Sequence, residues 1–147
     1  MHIQSDWENN WFLPKVYTCE GMEKFPELHL DDVPLIAQWL ALIVEDPDAP
    51  WGTWDHLLVA NIPITGNRMD ISLASFSEAV IGSNSWWELG RWAPCPPQWI
   101  HRYFFTVYAL SEKLDLSTGF SKQGFLTALQ WNVLAEAGIL GMYQKGK

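Results

Sequence analysis

The stretch RWAPCPPQWIHRYFFTVYAL, residues 91–110, joins a proline-built segment directly to an alternating aromatic segment. Proline fixes φ and lacks a backbone N–H, so neither a helix nor a central strand can run through residues 94–97. From His101 to Leu110 large apolar side chains recur at every second position, which predicts a strand over 101–110. Residues 94–97, called the proline ledge below, thus form a rigid segment just before a strand. Such a segment is suited to form one wall of a small binding site.

Other segments of the chain also have the composition of strands. Residues 36–44, IAQWLALIV, are almost continuously apolar and predict a strand that is buried on both faces. Residues 56–63, HLLVANIP, predict a second strand, and residues 10–19 predict a weaker one that Pro14 interrupts. Residues 64–80 are ambiguous and are interpreted as a loop with a short helix.

The apolar period changes after Ser121, which is a suitable N-cap for a helix. Helical spacing relates Phe125, Leu129, Val133 and Ala137. With Gly138 as the stop, the pattern predicts one amphipathic helix over 121–137. Several strands, many prolines and a late helix predict a mostly β fold, an antiparallel two-sheet sandwich with a few peripheral helices, in one domain over 1–147.

The charge of the chain excludes some classes of partner. The formal net charge is −8, and nine of the 17 acidic residues lie between 20 and 55, where Lys24 is the only base. This argues against nucleic-acid binding and against adsorption to anionic lipid, because both need a basic face. The sequence contains no run of 18 apolar residues, so no transmembrane segment is predicted. The N-terminal residues lack the pattern of a secretory signal. A cytoplasmic location is therefore expected.

Strand alternation predicts which polar side chains meet. His101 and Tyr103 should share one face of their strand, while Arg102 points to the other. By the same rule, His56 should share a face with Trp54 and Leu58.

Two aspartates, Asp46 and Asp48, stand just before that strand in the proline-braced turn EDPDAP. The pattern thus brings histidines, aspartates and a tyrosine to strand ends and braced loops, where a binding site can form. The same residues equally suit structural roles: hydrogen-bonded histidines, turn-forming aspartates and core aromatics.

Four blocks of the sequence resemble one known family. They are DPDAPWGTWDHLLVANIP at 46–63, APCPPQWIHRYFFTVYAL at 93–110, LPKVYTCEG at 13–21 and NVLAEAGILGMYQ at 132–144. In these blocks the chain resembles the phosphatidylethanolamine-binding protein family. The likeness is greatest to its bacterial and archaeal branch, the YbhB/YbcL-like or Raf-kinase-inhibitor-like proteins.

The resemblance implies a Greek-key sandwich of two antiparallel sheets with a small pocket. In the family this pocket takes phosphate, acetate-like anions or the phosphoethanolamine head group. Carried over to this sequence, the pocket wall comprises Asp46, Pro50, Trp54, His56, Pro94, His101 and Tyr103. Asp48, Arg102 and Cys95 are implied as structural support, with Asp48 pairing Arg102. Cys19 and Cys95 also lie in matching motifs and could approach each other, although a cytoplasmic protein would keep them reduced.

The residue types fit such a ligand. His56, His101 and Tyr103 can donate hydrogen bonds to an anion. Asp46 would orient a histidine, hold it protonated or accept from an ammonium group, which favours a zwitterionic head group over bare phosphate. The sequence therefore predicts a binding protein with a regulatory role, no catalytic residues, and neither a cofactor nor a metal.

Tryptophan sets this chain apart from the branch. Six of its ten tryptophans fall between residues 51 and 99, around the expected pocket mouth. They could plug the pocket, favour an apolar ligand portion, form a protein interface or simply pack.

Rival interpretations remain open at this stage. Histidines and aspartates suit a metal-dependent enzyme, but no HExxH or paired CxxC motif is present, and no GxSxG motif indicates a hydrolase. Family members also have roles as inhibitors of a kinase or a protease, and a tryptophan-rich surface could serve such a role or form a homodimer. Finally, the proline-rich blocks favour a cis bond at Ala49–Pro50 or near Pro96.

Overall fold

The structure is a computed structural model that describes residues 1–89 and 91–146. These residues form nine strands and one α-helix, with short 3-10 turns at Lys15–Tyr17 and Leu73–Phe76. The strands are β1 (His2–Gln4), β2 (Trp11–Phe12), β3 (Leu28–Asp31), β4 (Trp39–Asp46), β5 (Trp54–Pro63), β6 (Met69–Ile71), β7 (Val80–Ile81), β8 (His101–Leu110) and β9 (Val133–Tyr143). The helix, α1, spans Lys122–Leu129. None of the helices described here has the length and apolarity needed to cross a bilayer.

The larger sheet has six strands in the order β2-β9-β8-β4-β5-β7. β8 lies inside it and pairs antiparallel with both β4 and β9. The strand predicted over 101–110 is confirmed with the same bounds. The strand predicted over 56–63 begins two residues earlier, and the one predicted over 36–44 is shifted to 39–46. The central strands of the fold were therefore readable from the sequence.

The smaller sheet, β1-β3-β6, contributes to the same apolar core as one face of the larger sheet. This core includes Leu28 and Leu30 from β3, and Tyr103 and Phe105 from β8, all at most 1% exposed. Full burial of such a side chain is worth roughly 1.5–3 kcal/mol. The two sheets with their shared core confirm the predicted mostly β sandwich.

The other face of the larger sheet is covered by α1, which buries Phe125 and Leu129. The predicted N-cap is confirmed, since Ser121 Oγ accepts from the backbone N–H of Gly124 at 3.0 Å. The predicted end near 137 is wrong, because the helix stops at Leu129 and Trp131 takes a left-handed φ of 70°. Residues 133–137 instead belong to β9, which pairs with β8 at ten positions, and this long-range pairing overrides their helical spacing.

The outer edge of β9 is only partly covered. β2 pairs with it at Gly141 and Met142, and this short pair is parallel, so the sheet is not wholly antiparallel. The weak strand predicted over 10–19 is thus reduced to two residues. Among the described residues, no strand pairs with the outer edge of β9 over 133–139.

The turn after β4 is made without a cis bond. Every described peptide bond is trans, so the predicted cis bond at Ala49–Pro50 or near Pro96 is wrong. Asp46 Oδ1 accepts from the backbone N–H of Asp48 at 2.8 Å, and Gly52 takes a φ of 108° that favours glycine. These two features reverse the chain between β4 and β5.

Candidate ligand-binding site

The candidate site lies where three neighbouring strands meet at one end of the larger sheet. β4 ends at Asp46, which pairs with Trp54 at the start of β5, and β8 starts nearby at His101. Antiparallel pairing brings the end of one strand beside the start of the next. Asp46, His56 and His101 are each less than 5% exposed, so three buried titratable groups lie at this end of the core.

A β-bulge places His56 at this site. The register of β4 with β5 passes from the pair Val44–Leu57 to the pair Glu45–Asp55, so His56 is an extra residue with no partner across the ladder. A bulge of this kind interrupts the alternation of faces along the strand.

The bulge changes which side chains share a face. His56 and Trp54 line the same cavity, whereas Leu58 packs in the cluster beneath α1. The expectation that Leu58 shares their face is therefore wrong, because simple alternation does not carry through the extra residue.

Asp46 and His101 form a buried pair. Nδ1 of His101 lies 2.6 Å from Oδ2 of Asp46, and their side chains are 4% and 5% exposed. Since the carboxylate accepts, the ring proton sits on Nδ1, and Nε2 has no partner among the described residues. Asp46 thus orients His101, one of the three roles expected from the sequence.

His56 is held differently. Its Nδ1 lies 2.6 Å from the carbonyl oxygen of Trp92, which can only accept, so the proton is again on Nδ1. Burial of the ring lowers the pKa of His56 to about 4. The ring is therefore neutral near pH 7, and its Nε2 can only accept a hydrogen bond. This corrects the expectation that His56 donates to an anion.

Tyr103 keeps its hydroxyl proton. Burial, aided by the nearby charge of Asp46, raises the pKa of Tyr103 well above its usual value. The ring packs edge-on against His56 at 5.3 Å and is stacked with His101 at 6.5 Å between ring centroids. Tyr103 therefore fixes the relative position of the two imidazoles and retains its capacity to donate.

These side chains surround a cavity of about 280 Å³. It is lined by Asp46, Ala49, Pro50, Trp51, Trp54, His56, Trp86, Arg91, Cys95, Pro96, Pro97, His101 and Tyr103. A larger groove of about 750 Å³ runs beside α1, but its polar side chains are exposed or only half-buried. The smaller cavity is the better candidate, because buried titratable groups converge there.

Six of the seven residues predicted for the pocket wall line this cavity. They are Asp46, Pro50, Trp54, His56, His101 and Tyr103. The seventh, Pro94, lies outside the lining, and its carbonyl accepts from the backbone N–H of Cys19 at 3.0 Å. The ledge contacts the cavity through its next residues, Cys95 to Pro97, instead.

Asp48 and Arg102 form the predicted structural pair. Oδ1 and Oδ2 of Asp48 accept from Nη2 and Nε of Arg102 at 2.8 and 2.9 Å, a two-pronged contact. The hydrogen bonds from Arg102 lower the pKa of Asp48. The backbone N–H of Arg102 also donates to Asp48, so the pair ties the turn after β4 to the start of β8. Neither residue lines the cavity.

The lining also contains Trp86 and Arg91, which were not predicted for the pocket wall, although Trp86 is one of the six tryptophans expected around the pocket mouth. The guanidinium carbon of Arg91 lies 4.6 Å from the ring centroid of Trp86. The Trp86 ring also packs edge-on against Trp54 and His56 at 5.6 and 4.8 Å. Their segment, residues 84–91, has no regular periodicity, and only its position before the proline ledge could have indicated a part in the site.

One buried donor at the cavity has no partner. Nε1 of Trp54 is the single buried side-chain nitrogen or oxygen without a hydrogen bond in the part of the chain described. Leaving a buried N–H unpaired costs about 1–3 kcal/mol. Since Trp54 lines the cavity, a bound acceptor is one way to recover that cost.

A disulfide anchors the proline ledge. Cys19 and Cys95 are bonded, which confirms that they approach each other but differs from the reduced state expected of a cytoplasmic protein. The bond joins the cavity wall at Cys95 to the turn that follows Lys15–Tyr17, and the hydrogen bond from Cys19 to Pro94 lies next to it. The ledge is therefore held by a covalent bond as well as by its prolines.

Several tryptophans near the cavity face solvent. Trp51, Trp87 and Trp99 are 95%, 88% and 71% exposed. Trp87 and Trp99 also have φ values of 60° and 66°, which bulky residues rarely adopt. Trp51 lines the cavity beside Pro50, and Trp99 follows the ledge. These side chains do not close the cavity by packing into it, because they are largely exposed.

Possible metal ligands gather elsewhere. Within the described ranges, the one group of three with ligand atoms close together is Glu27, His29 and Asp70, which is exposed on the smaller sheet. Asp48 is bonded to Arg102 and does not line the cavity that Asp46, His56 and His101 line. The four residues considered for a metal-dependent enzyme, Asp46, Asp48, His56 and His101, are thus not brought together as one ligand set.

Comparison with known sequences identifies relatives over nearly the whole chain. A family model described as phosphatidylethanolamine-binding protein matches residues 3–144. A UPF0098 protein of Methanothermobacter thermautotrophicus is 41% identical over 138 residues, which cover 91% of this chain and 91% of that protein. A UPF0098 protein of Chlamydia trachomatis is 40% identical over 141 residues, covering 90% and 91% of the two chains.

Solved structures agree with the sequence match. A phosphatidylethanolamine-binding protein homologue from Chlamydia trachomatis superposes with a TM-score of 0.89 at 35% identity, covering 98% of this chain and 97% of that one. E. coli YbcL, described as a new member of the mammalian family, superposes with a TM-score of 0.83 at 28% identity, covering 97% of each chain. By sequence and by fold, this chain belongs to the phosphatidylethanolamine-binding protein family.

Proposed function

We propose that this protein binds a small phosphate-bearing ligand, such as phosphate or the phosphoethanolamine head group, in the cavity at the end of β4, β5 and β8. The observation that carries the proposal is the buried pair of Asp46 and His101. A buried carboxylate that orients an imidazole, whose second nitrogen has no protein partner among the described residues, is arranged to meet a ligand.

The size and polarity of the cavity support a head group rather than a whole lipid. Its volume of about 280 Å³ lies just below the roughly 300–1,000 Å³ typical of ligand pockets. Trp54 and Tyr103 offer donors for an anionic group, while Nε2 of neutral His56 and the carboxylate of Asp46 suit an ammonium group. A zwitterion satisfies both sets.

The proposed role is regulatory binding without catalysis. Among the described residues of the lining, Tyr103 has the one hydroxyl, and burial raises its pKa, which makes it a poor nucleophile. The thiol of Cys95 is used in the disulfide. Incubation with a panel of esters tests this part directly, and turnover that the His101→Ala variant loses would contradict it.

The binding experiment is a titration with phosphate and with phosphoethanolamine, followed by tryptophan emission. Trp54 and Trp86 in the cavity wall should report an occupant. The variant His101→Ala should lose the saturable response, because it removes the imidazole that Asp46 orients. His29→Ala is a matched control, since His29 is exposed on β3 and bonded to Asp70. Failure of the unaltered protein to bind either ligand would refute the proposal.

A second candidate function is inhibition of a kinase or a protease through the tryptophan-rich surface, which could equally form a homodimer. The exposure of Trp51 and Trp99 favours it, because exposed aromatic side chains are typical of protein interfaces. Trp99→Ser should weaken partner capture or shift the sedimentation coefficient toward that of a monomer. A monomer at high concentration whose partner capture is unchanged by Trp99→Ser would contradict this function.

The cytoplasmic location remains a prediction, and the disulfide between Cys19 and Cys95 bears on it. Disulfides persist mainly in oxidising compartments. Alkylation of free thiols at the moment of cell lysis, followed by thiol counting, measures whether both cysteines are reduced in the cell. Two alkylated thiols would support the cytoplasm, and none would favour an oxidising compartment.

A further inference from the structure

The side chain of Arg91 lines the same cavity as Asp46, His56 and His101. Its guanidinium carbon lies 4.6 Å from the centroid of the Trp86 ring, a cation–π contact. Within residues 1–89 and 91–146, no carboxylate lies within ion-pair distance of it. Contact with an aromatic ring leaves the N–H donors of a guanidinium available to a planar or tetrahedral anion.

The backbone of Arg91 is fixed although its side chain is exposed. Asn84, only 6% exposed, donates from Nδ2 to the carbonyl oxygens of Arg91 and His56. Its Oδ1 accepts from the backbone N–H groups of Trp86 and Glu88, both at 3.0 Å. One buried amide thus ties the segment that carries Arg91 and Trp86 to β5 at His56.

The electrostatics of the lining leave a place for an anion. Of the described residues that line the cavity, Arg91 is the only one with a permanent positive charge, and Asp46 is already bonded to His101. The charge of Arg91 is also one of the causes that lower the pKa of His56, so its field reaches the cavity wall. Pro96 and Pro97 have no backbone N–H groups to offer an anion.

Building on the binding role proposed above, we propose that Arg91, held against Trp86, is the oxyanion subsite of the cavity. It binds the phosphate of the ligand through two N–H groups, in the fork geometry that arginine forms with phosphate and carboxylate. His101 contacts the phosphate as well, and Asp46 and His56 are left to contact the remainder of the ligand. The stacked position reduces the side-chain freedom that is lost on binding.

The test compares Arg91→Gln and Arg91→Lys with the unaltered protein, using inorganic phosphate, phosphoethanolamine and ethanolamine as probes. Arg91→Gln should weaken binding of both phosphate-bearing probes by about 10- to 100-fold, since charge-assisted hydrogen bonds to the anion are lost. Arg91→Lys keeps the positive charge but cannot form two parallel hydrogen bonds. Its phosphate affinity should therefore lie between that of the unaltered protein and that of Arg91→Gln. Any binding of ethanolamine should be unchanged. Trp86→Leu, which removes the ring beneath Arg91, should also weaken phosphate binding.

The matched control is Arg68→Gln, which changes the net charge by the same amount. Arg68 is exposed, pairs with Asp31 and lies outside the cavity lining, so phosphate affinity should stay within about twofold. Equal phosphate binding by the unaltered protein and Arg91→Gln would overturn the subsite while leaving the proposed function intact. Equal weakening by Arg91→Gln and Arg68→Gln would also overturn it, because the effect would then be one of net charge. Absence of binding by the unaltered protein would overturn both proposals.

Discussion

Glu45 and Asp46 are neighbours on β4, yet they belong to two very different polar clusters on opposite faces of the sheet. Glu45 accepts from Nζ of Lys122 at 2.9 Å, and the same amine donates to Asp55 at 2.6 Å. Asp46 accepts from His101. The first cluster joins α1 to the sheet, and the second lies in the wall of the cavity.

The two clusters differ in whether their polar groups all have a partner within the protein. On the helix side, one ammonium is shared by two carboxylates, so each member has an opposite charge beside it. On the cavity side, Nε2 of both histidines and the indole N–H of Trp54 have no partner among the described residues. Charges satisfied within the protein stabilise the fold, whereas buried polar groups without a partner support the proposal that the cavity takes a ligand.

The largest effect should come from the disulfide, since the cavity side has a covalent cross-link and the helix side has none in the described residues. The bond between Cys19 and Cys95 closes a loop with a sequence separation of 76. Replacing both cysteines by alanine should lower the free energy of unfolding by about 4 kcal/mol, measured by urea denaturation. Reductant should destabilise the unaltered protein and have no effect on the double variant. A loss below about 1 kcal/mol would show that the prolines alone hold the ledge.

The next effect is the acid sensitivity of His56. Its pKa falls from 6.5 to about 4 on folding, chiefly because burial disfavours the charged ring. The unfolded chain therefore takes up a proton first as the pH falls. The stability that neutral His56 contributes is complete above about pH 6.5 and is lost as the pH falls through about 4, a change of about 3 kcal/mol.

The variant His56→Asn isolates this effect, because asparagine can still donate to the Trp92 carbonyl but does not titrate. Urea denaturation at pH 7 and pH 4 should show a smaller loss of stability in the variant than in the unaltered protein. Equal losses would mean that carboxylates elsewhere, and not this histidine, set the acid sensitivity.

The smallest effect should come from the helix-side cluster. Lys122→Met removes the amine shared by Glu45 and Asp55 and should cost about 1–2 kcal/mol of stability, less than a fully buried pair because Lys122 is 29% exposed. Phosphate affinity should remain within about twofold of that of the unaltered protein. A large loss of affinity would break the comparison, since it would couple the two faces of the sheet.

The fold was predictable where the local sequence and the long-range pairing agree. β8 has the bounds and the faces that its alternation predicts, because all ten of its residues pair with β9 and residues 104–110 also pair with β4. β9 was mistaken for part of a helix, since its alanines, leucine and glutamate are good helix formers. Only the pairing with β8, distant in sequence, makes it a strand, and spacing alone does not contain that information.

The site residues were predictable where they belong to a recognisable sequence motif. Asp46, His56 and His101 stand in proline-braced motifs with recognisable spacing, and the structure places all three in the cavity lining. The neutral state of His56 was not predictable, because it depends on burial and on the carbonyl of Trp92. Arg91 was missed because its position depends on tertiary contacts made by Asn84 and Trp86.

The pairing of β8 with β9 also bears on the order of events during synthesis. His101 pairs with Tyr143 and Tyr103 pairs with Gly141, so two residues of the cavity wall are fixed by a strand that follows the other eight strands described here. A nascent chain that has emerged only as far as α1 has the cavity residues but lacks the strand beside them. Since long-range β pairing is slow, the cavity should form only after β9 has emerged from the ribosome, later than the pairing of β4 with β5.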